Sequence, residues 1–421
     1  MKIRRYSNIY GKNDHTWLKV VLTFVAIALV VFIVFSVADP IAKLFSGDSG
    51  DTNSDASDFS VDVSYVDSVS NGESSTDAIE SQDTPSDTSS EEDVIVRPVR
   101  TEYTTGLSVT LSLDVIRSAE KFDEFLQNAK EQDVKNVIVE LKDEEGYIYY
   151  NTTNKNAKNS EAVSSKAVTN LKAVIDKLRE NNIAVTAKIH CFSDRLATDI
   201  KDAAVKYQGE NGGKWLDDTK ENNGKSWLNP YSDVAVNYLL SIAKELTDMG
   251  VDNILLASVR FPGGHQKYAY YGYDSETVSR DDCLKSFVKK AKQHLAYAGS
   301  EIWLEADINH YLDKEPEIYG ENVFDFGADC VVANIVADNF GKAIFINNVT
   351  ISEPHKNYRD LIRAVVGHCQ SVNEGDTVIL PMLQGYNYEN EEVKDQIKEA
   401  KKYGATRYVL EIKAETLPDV R

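Results

Sequence analysis

Cysteine is scarce and unpatterned in this 421-residue chain: there are four, and no two form a Cys-x-x-Cys pair. That excludes a disulfide framework and a cysteine zinc site. The seven histidines show no His-x-x-x-His or comparable spacing, so no metal or cofactor is assigned. No Gly-rich phosphate turn follows any strand-like run, and neither a G-x-S-x-G elbow nor a Ser-His-Asp order is present. Basic charge is also short. Against 67 Asp and Glu stand 46 Lys and Arg, a formal net charge of −21, which disfavours binding to a phosphate backbone and excludes a nucleic-acid partner.

Long apolar runs are equally rare. The single case, Val20 to Ala38, is nineteen residues without a charge. At about 1.5 Å per residue it is long enough to cross a bilayer core. Trp17 lies at one edge, and five of the six basic residues among the first 43 precede the run. The positive-inside rule then places residues 1–19 in the cytoplasm and everything after residue 38 outside. A cleaved signal peptide ending at Ser36-Val37-Ala38 is the competing reading, but both the run and the segment before it are long for one. The expected localisation is therefore the cell membrane, single-pass, with residues 20–38 as a signal anchor.

Fourteen Asp and Glu fall between Asp48 and Asp93, with no Lys or Arg between Lys43 and Arg97. Phe59 and Tyr65 are the only aromatics there. Such a segment cannot bury enough apolar surface to offset its ordering entropy, and like charges extend it. Residues 39–100 therefore read as a disordered acidic Ser/Asp-rich linker.

From residue 101 to 421 the pattern changes. Short β-branched runs recur at Leu107–Leu111, Asn136–Leu141, Ile183–His190, Asn253–Ser258, Glu301–Ala306, Asp329–Ile335, Thr377–Leu383 and Arg407–Ile412. Helical stretches with three- and four-residue apolar spacing lie between them, such as Phe122/Phe125/Leu126/Ala129. Eight strands in strand–helix order predict an α/β fold, a (βα)8 TIM-type barrel. An open doubly wound sheet is the alternative. The last helix is expected to be missing, or replaced by the segment around 94–103.

Chemistry in such barrels sits where the strands end. Reading outward gives Glu140, Lys142 and Asp143 at the end of the second strand, and Lys188 and His190 at the third. The fourth ends in Ser258 and Arg260, the fifth in Glu305 and Asp307, which share one face because side chains alternate with period two, the seventh in Gln384 and the eighth in Glu411. Converging carboxylates suit glycoside hydrolysis, with Glu305, Asp307, Glu140 and Glu411 as candidate acid, base or nucleophile. The alternative is that Lys142, Lys188 and Arg260 merely neutralise them. Aromatics are dense on the same loops, including Trp227, Tyr271 and Tyr386. They can stack on sugar rings, or simply pin the loops.

The string NVIVELKDEEGYIYY (Asn136–Tyr150) resembles the strand-two signature of a glycosyl-hydrolase (βα)8-barrel family found in many bacterial envelope proteins. AKIHCFSD (Ala187–Asp194), WLNPY (Trp227–Tyr231), VRFP (Val259–Pro262), EADI (Glu305–Ile308) and LPMLQGY (Leu380–Tyr386) follow in the same order. The resemblance implies a barrel acting on polysaccharide or cell-wall glycan. It also implies that Lys142, Asp143, Lys188, Arg260 and Gln384 contact substrate. The family usually carries an Asp three residues before the Arg-Phe-Pro; here that position is Ala257. Two readings follow: a glycosidase whose carboxylate pair lies elsewhere, or a catalytically inactive glycan-binding or scaffold barrel.

Overall fold

Eight runs of β-branched and apolar residues pair in parallel and close on themselves. They are β1 (Gly106–Thr110), β2 (Val134–Lys142), β3 (Ala184–His190), β4 (Asn253–Ala257), β5 (Glu301–Ala306), β6 (Cys330–Asn334), β7 (Val378–Gln384) and β8 (Arg407–Glu411). Each pairs with the next in chain order. β1 pairs both with β2, through Val109↔Val137, and with β8, through Val109↔Leu410, so the eight strands close into a barrel. This is the expected (βα)8 barrel, with strand limits shifted by at most two residues. The computed structural model describes residues 105–421 apart from 210, 211, 265, 309–315, 321, 347, 414 and 415.

Six helices of ten residues or more wrap the barrel: α1 (Ala119–Glu131), α2 (Leu171–Glu180), α3 (Asp233–Asp248), α4 (Arg280–Leu295), α5 (Tyr358–Val372) and α6 (Asn390–Lys402). Ser118, Asn170, Ser232 and Ser279 start four of them, each side chain accepting from the backbone N–H three residues on. The apolar stripes legible in the sequence are the buried ones: Phe122, Phe125, Leu126 and Ala129 on α1, and Ile242, Ala243 and Leu246 on α3. Gly250 and Gly404, at φ 103° and 81°, turn the chain from helix to strand in a conformation that disfavours a Cβ.

The regular alternation is interrupted at several points, the first being two short strands, Ile148–Tyr150 and Val163–Val168, between β2 and α2. Between β5 and β6 there is only a short turn of helix, Pro316–Tyr319, and a 3₁₀ segment, Val323–Phe326. After β6 an antiparallel hairpin, Ala343–Ile346 with Val349–Ser352, precedes α5. No helix follows β8 among the described residues. The 94–103 segment expected to replace it lies outside them, as do the apolar run 20–38 and the acidic stretch. Among the described residues no helix is long and apolar enough to cross a membrane.

Alternation divides the side chains between two cores. Ile138, Leu255, Trp303, Val332, Leu380, Met382 and Val409 fill the barrel interior. Residues of opposite parity, such as Val137, Val139 and Leu256, pack outward against the helices. Fully burying side chains of this size contributes about 1.5–3 kcal/mol each. Beneath the apolar layer lies a buried polar chain. Asn136 donates to Ser108 (3.3 Å), Thr186 to Asn136 (2.9 Å) and Asn253 to Thr186 (3.2 Å). Arg407, Glu301 and Trp303 continue it: the guanidinium pairs with Glu301 at 3.0 Å, and the indole N–H donates to the same carboxylate at 2.8 Å. The floor is closed, so the opposite end is the open one.

Candidate active site

At the open end the inward positions become charged. Lys188, on β3, stands among carboxylates from three directions. Its Nζ lies 2.7 Å from Glu305 on β5 and 3.6 Å from Glu140 on β2, and Glu411 on β8 faces the same charge. The pair with Glu305 skips a strand. On β4 between them, Ala257 lies on the same face as Leu255 and level with His190. Asn334 donates to the other oxygen of Glu305 at 3.4 Å. His190 approaches Glu140 through Nε2 at 3.5 Å and Ser258 through Nδ1 at 2.8 Å.

Glu140, Lys188, Glu305, Asn334 and Glu411 line one cleft of about 420 Å³, with Tyr149, Asp114 and Lys166 on its wall. That size falls in the range of small-molecule sites. Three of the four candidate catalytic carboxylates therefore converge there. Asp307, half-buried just past β5, does not line it. The additions from Tyr149, Asp114 and Lys166 carry no signal in the sequence. Asp114 reaches the cleft from a short helix, Leu113–Ile116, after β1, and Tyr149 and Lys166 from the short strands Ile148–Tyr150 and Val163–Val168 after β2.

The surroundings push the carboxylates apart. Burial raises Glu140 and Glu305, but His190 and Lys188 outweigh it, and both groups sit below the ordinary carboxylate range. For Glu411 burial wins over Lys188 and Lys413, and its pKa is raised. Burial lowers Lys188, yet Glu305 and Glu140 more than reverse it, to about 12. Near neutrality the lysine is charged, Glu140 and Glu305 are ionised, and Glu411 is the group with the greatest tendency to hold a proton.

Several residues expected to contact substrate have other positions. Lys142 is fully enclosed: it pairs with the equally enclosed Asp194 at 2.9 Å and donates to the His190 carbonyl at 2.5 Å. A register shift between Glu140 and Lys142 breaks the alternation that would have aimed it into the mouth. Asp143 holds the following turn, accepting from the Glu145 and Tyr147 amides and the Tyr149 hydroxyl. Gln384 is fully buried and ties two loops, accepting from the Asp338 amide and donating to the Tyr386 carbonyl. Trp227 is buried, its N–H on Asp217 and its ring covered by the Arg260 guanidinium. Tyr271 packs edge-on against Phe261 and bonds Gln266. These aromatics pin loops and do not line the cleft. Tyr386 remains half-exposed near the rim, with Lys413 3.9 Å over its ring.

The four cysteines are free and buried. Burial raises each thiol to about 12, which leaves them unreactive.

A closed parallel barrel whose open end gathers glutamates around one cation suits glycoside hydrolysis, and the family match agrees with it. The chain belongs to the family described as "putative glycosyl hydrolase domain", which matches residues 108–414. A hypothetical protein from Ruminiclostridium thermocellum ATCC 27405 is similar at 26% identity, covering 46% of this chain and 96% of that one, with a TM-score of 0.40. The glycoside hydrolase domain of PelA from Pseudomonas aeruginosa is 10% identical over 75% of this chain and 96% of that one, TM-score 0.39. Alpha-L-fucosidase isoenzyme 2 from Paenibacillus thiaminolyticus is 11% identical over 75% of this chain and 47% of that one, TM-score 0.47. No curated protein matches the chain.

Proposed function

We propose that the barrel is a glycoside hydrolase acting on envelope or extracellular polysaccharide, with Glu411 as general acid and Glu140 as nucleophile or base. The observation that carries this reading is the opposite displacement of these two carboxyls within one cleft, the arrangement that separates acid from base roles. Glu411 gives its proton to the leaving glycosidic oxygen. Glu140, whose side chain is 46% exposed, is open to substrate, whereas Glu305 is 12% exposed and held by Lys188 and Asn334. Glu305 then acts as fixed negative charge beside an oxocarbenium-like transition state.

The test incubates the full chain with cell-wall and exopolysaccharide fractions, scoring both new reducing ends and retained glycan. Release of sugar by the native protein, reduced about 10²–10⁴-fold in Glu140→Gln, supports the proposal. Release unaffected by the substitution, or none from any fraction, sinks it. One observation favours the glycan-binding alternative: the inward position on β4 holds Ala257 where the resemblance expects a carboxylate. Retention without release would establish that reading.

We also propose four segments: a cytoplasmic 1–19, an anchor 20–38, a linker 39–100 and the barrel 101–421. The uncharged run and its flanking basic residues support this arrangement. Protease added to intact cells should then shed the barrel by cutting within 39–100. A barrel shed only after lysis would reverse the topology.

A further inference from the structure

Ser258 stands out among the residues with positive φ. Nine described residues other than glycine adopt it; of the other eight, six are Asp or Asn and two are Glu, and Ser258 is the one that directly follows the end of a barrel strand. Its φ of 52° is costly for a residue with a Cβ. The conformation puts the hydroxyl of this half-buried residue 2.8 Å from His190 Nδ1. The opposite ring nitrogen, Nε2, lies 3.5 Å from Glu140 Oε2. Glu140 is ionised and cannot donate, so it draws the imidazole proton to Nε2. That leaves Nδ1 as the acceptor for the Ser258 hydroxyl.

A hydroxyl within hydrogen-bond reach of a base that a third group orients is the arrangement of an activated nucleophile. It is recognised by geometry, and the chain order Glu140, His190, Ser258 hides it from a sequence search. The strained backbone at a strand end serves the same purpose, holding the hydroxyl out from the sheet.

We propose that Ser258, His190 and Glu140 form a nucleophile–base–carboxylate relay that cleaves carboxylic esters beside the glycan cleft. Ser258 Oγ bonds to the ester carbonyl carbon as its proton passes to His190 Nδ1. The C–O bond to the alcohol breaks, and the alcohol leaves with that proton. Water then attacks the acyl-serine and gives a proton to His190, which returns it to Ser258 Oγ as the carboxylic acid departs. No oxidant or further reactant is needed. Glu140 stabilises the imidazolium in both steps.

The experiment exposes the full chain to phenylmethanesulfonyl fluoride, maps the modified peptide by mass, and follows 4-nitrophenyl acetate turnover in parallel. The expected label sits on Ser258, and His190→Gln slows labelling about 10²-fold or more. Ser258→Gly abolishes label and turnover without unfolding, because glycine takes a positive φ at no steric cost; an undiminished melting temperature checks that. An unlabelled Ser258, or wild-type ester turnover in Ser258→Gly, overturns the proposal. Neither readout needs glycosidase activity, so failure here is separable from failure of the glycan reading.

Discussion

Glu411→Gln is expected to lower kcat on a glycan substrate about 10²–10⁴-fold while raising the melting temperature. Both effects come from one property. Burial raises the Glu411 pKa above its ordinary 4.5 despite Lys188 and Lys413, so the folded protein favours the protonated carboxyl. A carboxyl with a raised folded pKa contributes stability below its unfolded pKa, and that contribution is lost as pH rises through the folded value. The native protein therefore carries a burial penalty at neutral pH that the uncharged amide removes. Below about pH 4 the carboxyl is protonated in both states, and the stability difference should shrink.

Activity follows the same logic with two limbs. It should fall as pH rises through the Glu411 pKa, because the acid form disappears. It should also fall as pH drops through the lowered Glu140 value, because the base is protonated. Glu411→Gln should lose the alkaline limb and spare aryl glycosides with good leaving groups, which need little protonation. Thermal melts at pH 7.5 and 4 together with a pH–rate profile check this. A variant that melts lower at pH 7.5, or keeps its alkaline limb, would remove Glu411 from the acid role.

Lys188→Met should be the most destabilising single change at the mouth. The lysine side chain is 18% exposed and Glu305 12%, so removing the cation strands a mostly enclosed carboxylate. Breaking such a pair from one side costs about 3–5 kcal/mol. The paired Glu305 has a lowered pKa, so its stabilisation is present above the ordinary carboxylate value and lost as pH falls through the folded one. In the variant the carboxyl accepts a proton more readily. The deficit should therefore be large at pH 7.5 and smaller at pH 5. Adding Glu305→Leu should recover most of it, since an apolar pair in place of a buried ion pair is often neutral. Urea unfolding of the four proteins at both pH values measures the coupling. A cost under about 1 kcal/mol at pH 7.5, or none of the recovery, would mean that solvent reaches the pair freely.

The proposed anchor and linker rest on the composition of residues 1–100, which lie outside the described residues. The barrel was readable because its determinants are local. Strand runs of alternating parity, apolar stripes at helical spacing and serine or asparagine caps each act within a few residues. The same parity placed Glu140, Lys188, Glu305 and Glu411 on inward faces at one end, and they do meet there.

Position along the strand did not decide where Lys142 points. The register shift after Glu140 depends on how β2 pairs with β3, and no property of the residues near 142 announces it. The loop aromatics misled for a related reason: Trp227 and Tyr271 suit sugar stacking and loop packing equally well, and only their neighbours decide between the two. Asp217 and Arg260 claim Trp227; Phe261 and Gln266 claim Tyr271.

By itself, then, the sequence determined the closed alternating fold and the end of it that carries charge, because backbone period and side-chain polarity are properties of short segments. Tertiary structure alone decided which carboxylates keep a proton and which partner holds each. Lys188 reaches past β4 to Glu305, and Glu411 is raised because burial exceeds the attraction of two lysines. Ser258 meets His190 from a strand 68 residues away in sequence. Those outcomes depend on distance and desolvation, which arise only when all eight strands are assembled.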